Sequence, residues 1–434
     1  MKRRRLGHGV VEGFYGRPWT TAERVSFVEL LGRAGLDTFI VAPKNDPLGF
    51  SRPRRRASDY RAIQEVARAA SDAGVRLFAS TCLENVEALV DAGVDGVVVS
   101  LDDTWTTFAP GLATHARGEA HGAIARAALD RARRRSASAD ALLVPAIYHR
   151  RLEDLGRGAL AYLRGIAAAA PGVPVAWTGP AIFSRSVTAA DVTRLRQATG
   201  LDLWLWNNAI TNDWLPLATG ELVGARPWQK LCFGSIDNMS PGVEREVEGV
   251  LVNAAREPSL SKVSALCLAE WLRNPLHYAA APAIQRAIAE VAGDLADLVA
   301  LAHDLTCKHP LSAPARFEAS AVSEAVSDYV AGRATGEALA AKLEHLVEAA
   351  TRARDASARA TPEADAVREC VPTLDRAAGL ASAALAGLAR RRGPPDRERE
   401  RALLLEMNTH LRAARGMRWQ VGLESLQPLL SRSR

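Results

Sequence analysis

The sequence predicts a (β/α)8 barrel of the TIM-barrel class followed by an all-α helical C-terminal domain. Three observations carry that expectation. Eight short apolar runs rich in β-branched residues recur along the first two thirds of the chain, separated by amphipathic Ala/Arg/Glu-rich segments at a repeat of roughly thirty residues. The runs are continuously apolar rather than alternating, as parallel strands covered on both faces are. No GxGxxG follows the first run, which argues against an open, doubly wound dinucleotide-binding sheet.

Taken in order, the first strand is HGVVEGF, ending at Glu12 and Gly13, and the following helix has its start signal at Thr20 and Thr21 with Glu23. DTFIVAP leads to Lys44 and a helix from about Ser58; VRLFAS passes almost directly into a helix near Glu84. DGVVVSL ends at Asp102 and Asp103, ahead of a helix from about Gly118. ALLVPAI leads to Tyr148 and a helix near Leu152, and PVAWTG ends at Trp177 and Thr178 before a helix at Ala189 that Thr188 and Asp191 announce. LDLWLWN runs into Asn207 and Asn208, a helix is expected near Pro241, and GVLVNA closes the series at Asn253. From about Pro275 the chain is Ala/Leu/Glu/Arg-rich and almost free of aromatics, which predicts a barrel domain over 1–275 and a helical bundle or stalk over 276–434. Within the latter, RRRGPPDRERE reads as a turn before a last amphipathic helix.

The 434 residues are 48% apolar and 24% charged, an ordinary globular balance with enough apolar mass for a sizeable core. The net charge of +6 comes from Arg clusters at Arg3 to Arg5, at Arg52 with Arg54 to Arg56, and at Arg390 to Arg392. None is interleaved with aromatics, so solvated loops are expected there rather than a nucleic-acid surface. Five cysteines without CxxC spacing read as reduced thiols, neither a disulfide frame nor a zinc site. No apolar stretch follows the basic start, and no run approaches a membrane span, so a cytoplasmic location without membrane association is expected. Oligomeric state is not legible.

In a barrel of this class the residues at the C-terminal strand ends line the active site. Here they are carboxylates, a Lys, amides, a Tyr and several Trp, with no metal-ligand spacing and no phosphate loop. That set suits a neutral polyhydroxylated substrate held by hydrogen bonds and ring stacking, with no cofactor. The pair Asp102 and Asp103 is the unusual feature, because adjacent ionised carboxylates repel, the more so behind low-dielectric walls. Adjacent carboxylates cannot easily flank a glycosidic bond, as two-carboxylate glycosidases require. They suit a substrate-assisted reaction, in which a 2-acetamido group on the sugar is the nucleophile, one carboxylate orients it and the other protonates the departing oxygen. A negative neighbour and partial burial raise a carboxyl pKa, so that one of such a pair holds a proton near neutral pH.

The segments GVVEGFYGRPWT, FIVAPKNDP, VSLDDT, AWTGP, LWNNAITND and GVLVNA, in this order over residues 8–275, resemble the signature segments of family-84 glycoside hydrolases. That family includes protein O-GlcNAcase and bacterial β-N-acetylglucosaminidases often called hyaluronidases. The resemblance implies a retaining exo-β-N-acetylglucosaminidase that needs no metal and works through an oxazoline, with a GlcNAc-bearing glycoside or glycoprotein as its partner. It implies that Asp102 orients the acetamido group and that Asp103 is the general acid, then base. Tyr148 would hydrogen-bond near the acetamido oxygen and Trp206 would wall that pocket. Asn208, Asp213, Gly13 through its carbonyl, Lys44 and Asn253 would bind the sugar. Four departures stand out: PKNDP where two acids are usual, Asn207 where Asp is usual, a missing Pro-Gly loop after the third strand, and the basic SRPRRRASDY in place of an aromatic-rich stretch. The missing loop is the feature that favours an alternative, a non-catalytic GlcNAc-binding protein on a glycosidase-like barrel.

Overall fold

Eight parallel strands pair in chain order and close on themselves. They are β1 (Gly7–Glu12), β2 (Thr38–Val41), β3 (Arg76–Ser80), β4 (Gly96–Ser100), β5 (Asp140–Val144), β6 (Val175–Trp177), β7 (Leu203–Asn207) and β8 (Gly249–Asn253), the last returning to pair with β1. All eight predicted strands are therefore present. The structure is a computed structural model and describes residues 7–44, 56–103, 112–155, 158–212, 231–305, 325, 328, 329 and 331–390.

The barrel interior is filled by Val11, Ile40, Ala42, Phe78, Val98, Leu142, Val144, Ala176, Trp204, Trp206 and Leu251. Because strand side chains alternate, this set fixes the phase of every strand: residues two apart from these point inward, and their neighbours point to the helices. Two large rings occupy the N-terminal half, Phe78 and Trp204, with centroids 5.8 Å apart. They fit because the facing positions are glycines. A Cβ on Gly96 would lie 2.3 Å from the Phe78 ring, and one on Gly7 would lie 2.6 Å from the Trp204 ring. On the outer side Phe14, Trp19, Phe27 and Phe39 form a buried aromatic cluster between β1, β2 and the first helix.

The barrel's helical layer is α1 (Thr21–Ala34), α2 (Ala57–Asp72), α3 (Val86–Asp91), α4 (His115–Arg135), α5 (Arg150–Leu155), α6 (Ala159–Ala169), α7 (Ala189–Thr199), α8 (Val243–Glu246) and α9 (Pro258–Arg273). Thr20 and Thr188 cap α1 and α7 in reciprocal boxes with Glu23 and Asp191, as their sequences predict. Only Thr81 and Cys82 separate β3 from the 3-10 turn at Leu83–Asn85 that leads into α3. One expectation is corrected. The helix near Pro241 is a single turn, because Gly242 enters it at φ +99° and Val247 leaves it extended. Helices α4 and α6 pack almost backbone to backbone, since a Cβ on Gly118 would lie 1.9 Å from the Tyr162 carbonyl oxygen.

The described residues group into two compact units, one holding the barrel strands and ending at Ile284, the other beginning at Gln285 and taking in residues 231–234. Helix α10 (Ala280–Ala292) spans that division, and α11 (Ala296–Leu305), α12 (Gly336–Ser357) and α13 (Pro362–Arg390) follow. Helices α12 and α13 bury facing rows of small and branched residues, among them Leu339, Leu343, Leu346 and Ala350 against Val367, Cys370, Leu374 and Ala377. The Arg368 guanidinium pairs with Asp365 and donates to the carbonyls of Ser357 and Arg359, satisfying the end of α12. The final helix expected after Arg390 lies outside the described residues, as do most of the three Arg clusters and Cys307. Among the described residues, Cys82, Cys232, Cys267 and Cys370 form no disulfide. Among the described residues no helix is long and apolar enough to cross a membrane, and no group of three or more His, Cys, Asp or Glu is placed to hold a metal ion.

Candidate active site

Strand phase delivers most of the candidate residues to one place. Counting by twos from the interior set reaches Gly13 on β1, Lys44 after β2, Asp102 after β4, Tyr148 after β5, Asn208 after β7 and Asn253 on β8. The inter-strand hydrogen bonds run past the strand ends and keep that phase. Lys44 N–H donates to the Phe14 carbonyl at 3.1 Å, Leu101 N–H to Val144 at 2.8 Å and Thr178 N–H to Tyr148 at 2.8 Å.

Two clusters result. In the first, Lys44 Nζ lies 2.8 Å from Asp102 Oδ2, both side chains being mostly buried. The second carboxylate oxygen, Oδ1, is buried and has no hydrogen-bond partner among the described residues. Burial pushes the Asp102 carboxyl above its ordinary range; the Lys44 charge opposes that rise, and the Asp103 charge adds to it. Asp103 breaks the alternation: it adopts the left-handed backbone region at φ +56° and is exposed. Its Oδ2 accepts a 2.8 Å hydrogen bond from the Tyr15 hydroxyl. Tyr148 feels both acids, its phenol pushed well above the usual range by burial, then by the Asp103 and Asp102 charges. It is therefore a neutral donor throughout the physiological range. The adjacent His149, pushed down to about 4 by burial and by Arg151, accepts the Leu152 N–H on Nδ1.

In the second cluster, the Asn253 amide bridges two neighbours: its Oδ1 accepts from Gly13 N–H at 3.0 Å, and its Nδ2 donates to Asn208 Oδ1 at 3.0 Å. Asn208 in turn donates to the Ile182 carbonyl at 2.9 Å, and the Thr211 hydroxyl donates to the Asn253 carbonyl at 3.1 Å. The Trp206 ring lies against Gly13, where a Cβ would approach it to 2.7 Å and Asn253 Oδ1 to 2.8 Å. Gly13 is required there by the close approach. Its N–H is committed to Asn253.

Three strand-end residues leave the mouth. Glu12 points outward and is fully buried, accepting both guanidinium hydrogen bonds of Arg24 at 2.7 and 3.0 Å and the Trp19 N–H at 2.8 Å. Trp177 points outward too, its indole N–H on Glu153 at 3.1 Å, while Arg194 holds the other oxygen of Glu153. Asn207 exchanges side-chain hydrogen bonds with Asn238 at 2.7 and 3.1 Å, so the Asn in LWNN is matched to a partner outside the barrel. Asp213 lies outside the described residues. Tyr15 is the participant that sequence reasoning missed. Its signal is its place two residues beyond Gly13 in GFYGRPW, but nothing in the spacing says that its hydroxyl reaches a residue on β4's extension.

The profile of the NAGidase family, described as β-N-acetylglucosaminidase, matches residues 8–303. Two solved structures are similar over 99% of this chain at 19% identity. One is a mutant of the O-GlcNAc hydrolase of Thermobaculum terrenum, with a TM-score of 0.73 and 94% of that chain covered. The other is CpGH84B, with a TM-score of 0.75 and 77% of that chain covered. At that identity the likeness speaks for the fold. The family match takes in all eight strands and more than half the chain, and the protein therefore belongs to the β-N-acetylglucosaminidases of glycoside hydrolase family 84.

Proposed function

We propose that the protein is a retaining exo-β-N-acetylglucosaminidase, resembling O-GlcNAcase in its chemistry, that removes terminal β-linked GlcNAc from a glycoside or glycoprotein by substrate-assisted catalysis. The observation that carries this reading is the asymmetry of Asp102. Lys44 occupies one oxygen, and the other is a buried acceptor with no partner among the described residues, suited to the N–H of a 2-acetamido group. Held that way, the acetamido oxygen attacks the anomeric carbon as the bond to the leaving oxygen breaks, and Asp103 supplies the leaving oxygen with a proton. The ionised Asp103 then takes a proton from water as that water opens the oxazoline at the same carbon. Two inversions give net retention.

In this reading Tyr148 donates to the acetamido oxygen as charge develops, and Trp206 walls the acetamido pocket. Asn208, Asn253, Lys44 and Asp213 bind sugar hydroxyls, with the Gly13 carbonyl beside them. The amide chain from Gly13 through Asn253 to Asn208 supports the assignment, because each member fixes the next and so presents preset donors and acceptors.

Hydrolysis of an aryl β-N-acetylglucosaminide and of the matching β-glucoside, by the wild type and by Asp103→Asn, tests the reading. Turnover of the acetamido sugar alone, sharply reduced in the variant, is expected. Turnover of the plain glucoside would overturn the acetamido role. Binding of GlcNAc without hydrolysis would turn the assignment toward a sugar-binding barrel.

A further inference from the structure

We propose that Tyr15 is the positioning residue of the proton donor: by donating to Asp103 Oδ2 it reserves Oδ1 as the oxygen that carries the proton to the leaving group. The inference rests on the hydrolytic reading above and goes beyond it, because it concerns which atom of Asp103 acts.

The barrel does not orient Asp103 as it orients Asp102. The inward phase of β4 ends on Asp102, and Asp103 leaves that phase at φ +56°, exposed. A side chain so placed has rotamer freedom, and a proton donor with two interchangeable oxygens spends part of its time presenting the wrong one. The Tyr15 hydroxyl removes that degeneracy. A carboxylic acid accepts most strongly on its carbonyl oxygen, so a phenol donor on Oδ2 places the acid proton on Oδ1. When Oδ1 gives that proton to the leaving oxygen, the phenol remains to stabilise the resulting carboxylate. Oδ1 then receives the proton of the incoming water, and the acid returns to its starting state.

Tyr15 can do this because its own turn is fixed at both ends. Before it, Gly13 is tied to Asn253. After it, Gly16 adopts φ +124° under the Arg256 side chain, where a Cβ would lie 2.9 Å from Arg256 Cδ. Trp19 is held twice, its N–H by buried Glu12 at 2.8 Å and its indole by the Arg256 carbonyl at 3.1 Å. The outward-facing Glu12 and Arg24 pair thereby acquires a purpose at the mouth: it anchors the turn that carries Tyr15.

The test is Tyr15→Phe across a series of aryl and alkyl β-N-acetylglucosaminides of decreasing leaving-group acidity, alone and in an Asp103→Asn background. The variant should lose roughly 10- to 100-fold in kcat on the poorest leaving groups, the worth of a hydrogen bond to a charged group, and little on dinitrophenyl substrates, with KM unchanged. The leaving-group slope is therefore steeper, and a slope does not depend on what fraction of the enzyme is folded. In the Asp103→Asn background the same change should matter by less than about twofold. A parallel loss across the series, no loss at all, or full additivity with Asp103→Asn would each overturn the proposal. A wild type that hydrolyses none of the series would overturn the hydrolytic reading itself, a result distinct from these.

Discussion

The ammonium of Lys44 and the carboxylate of Asp102, 58 residues apart in the chain, meet at 2.8 Å at the barrel mouth. This contact decides the charge of the residue on which the proposed chemistry turns. Burial drives Asp102 toward its neutral form, the Asp103 charge pushes the same way, and Lys44 is the opposing influence. In the proposed reaction Asp102 is ionised when it accepts the acetamido N–H, which makes the ion pair a condition of that reaction.

Lys44→Met should therefore move the acid limb of the kcat/KM profile to higher pH. The sign follows from linkage: removing a cation beside a carboxylate raises its pKa further, and activity is lost as pH falls through that value. Activity at neutral pH should drop roughly 10- to 100-fold, and Lys44→Arg should retain most of it. A pH–rate profile with an unmoved acid limb would refute the assignment.

In the proposed reaction Asp103 combines a chemical and a conformational requirement. Its φ of +56° is tolerated by Asn far better than by β-branched residues. Asp103→Asn should melt close to the wild type while losing about 10²- to 10⁴-fold on unactivated glycosides. Asp103→Val should lose activity and in addition about 1–2 kcal/mol of stability. Thermal melting of the two variants side by side separates the effects.

The Asn207 and Asn238 pair predicts that restoring an acid here is harmful. An Asp at 207 cannot donate to Asn238 Oδ1, and two acceptors would face each other at the 2.7 Å now bridged by a proton. Asn207→Asp should cost about 1–3 kcal/mol at neutral pH. The loss should shrink in acid, where a protonated carboxyl can donate again, and denaturant titrations at the two pH values would read it.

Breaking the buried pair behind the first strand should be the costliest change to stability. Arg24→Met leaves the Glu12 carboxylate uncompensated at a position without solvent contact, which costs about 3–5 kcal/mol. The double variant Glu12→Gln with Arg24→Met should recover part of that loss. A single variant as stable as the wild type in urea would show that the pair is not needed for the fold.

Most of the candidate site's position was legible because one regular repeat and one positional rule carry it. Continuous apolar runs at a regular repeat identified eight strands, and the polar residue just past each run marked the mouth. What those rules could not do was separate inward from outward at the strand ends. Glu12, Trp177 and Asn207 looked equivalent to Gly13, Lys44 and Asn253 in a list of strand-end residues. A difference of one residue in register sends the first three to the helices and the others to the mouth.

The amino-acid sequence by itself determined the barrel, the order of its strands and the chemical inventory at its mouth, since these follow from hydrophobic period and from residue types at strand ends. Only the tertiary structure decided the pairing. Lys44 on Asp102, Tyr15 on Asp103 and Asn253 between Gly13 and Asn208 join residues 58, 88, 240 and 45 positions apart. Closure of the sheet brings such residues within hydrogen-bond range, and local sequence has no period that encodes a closure distance.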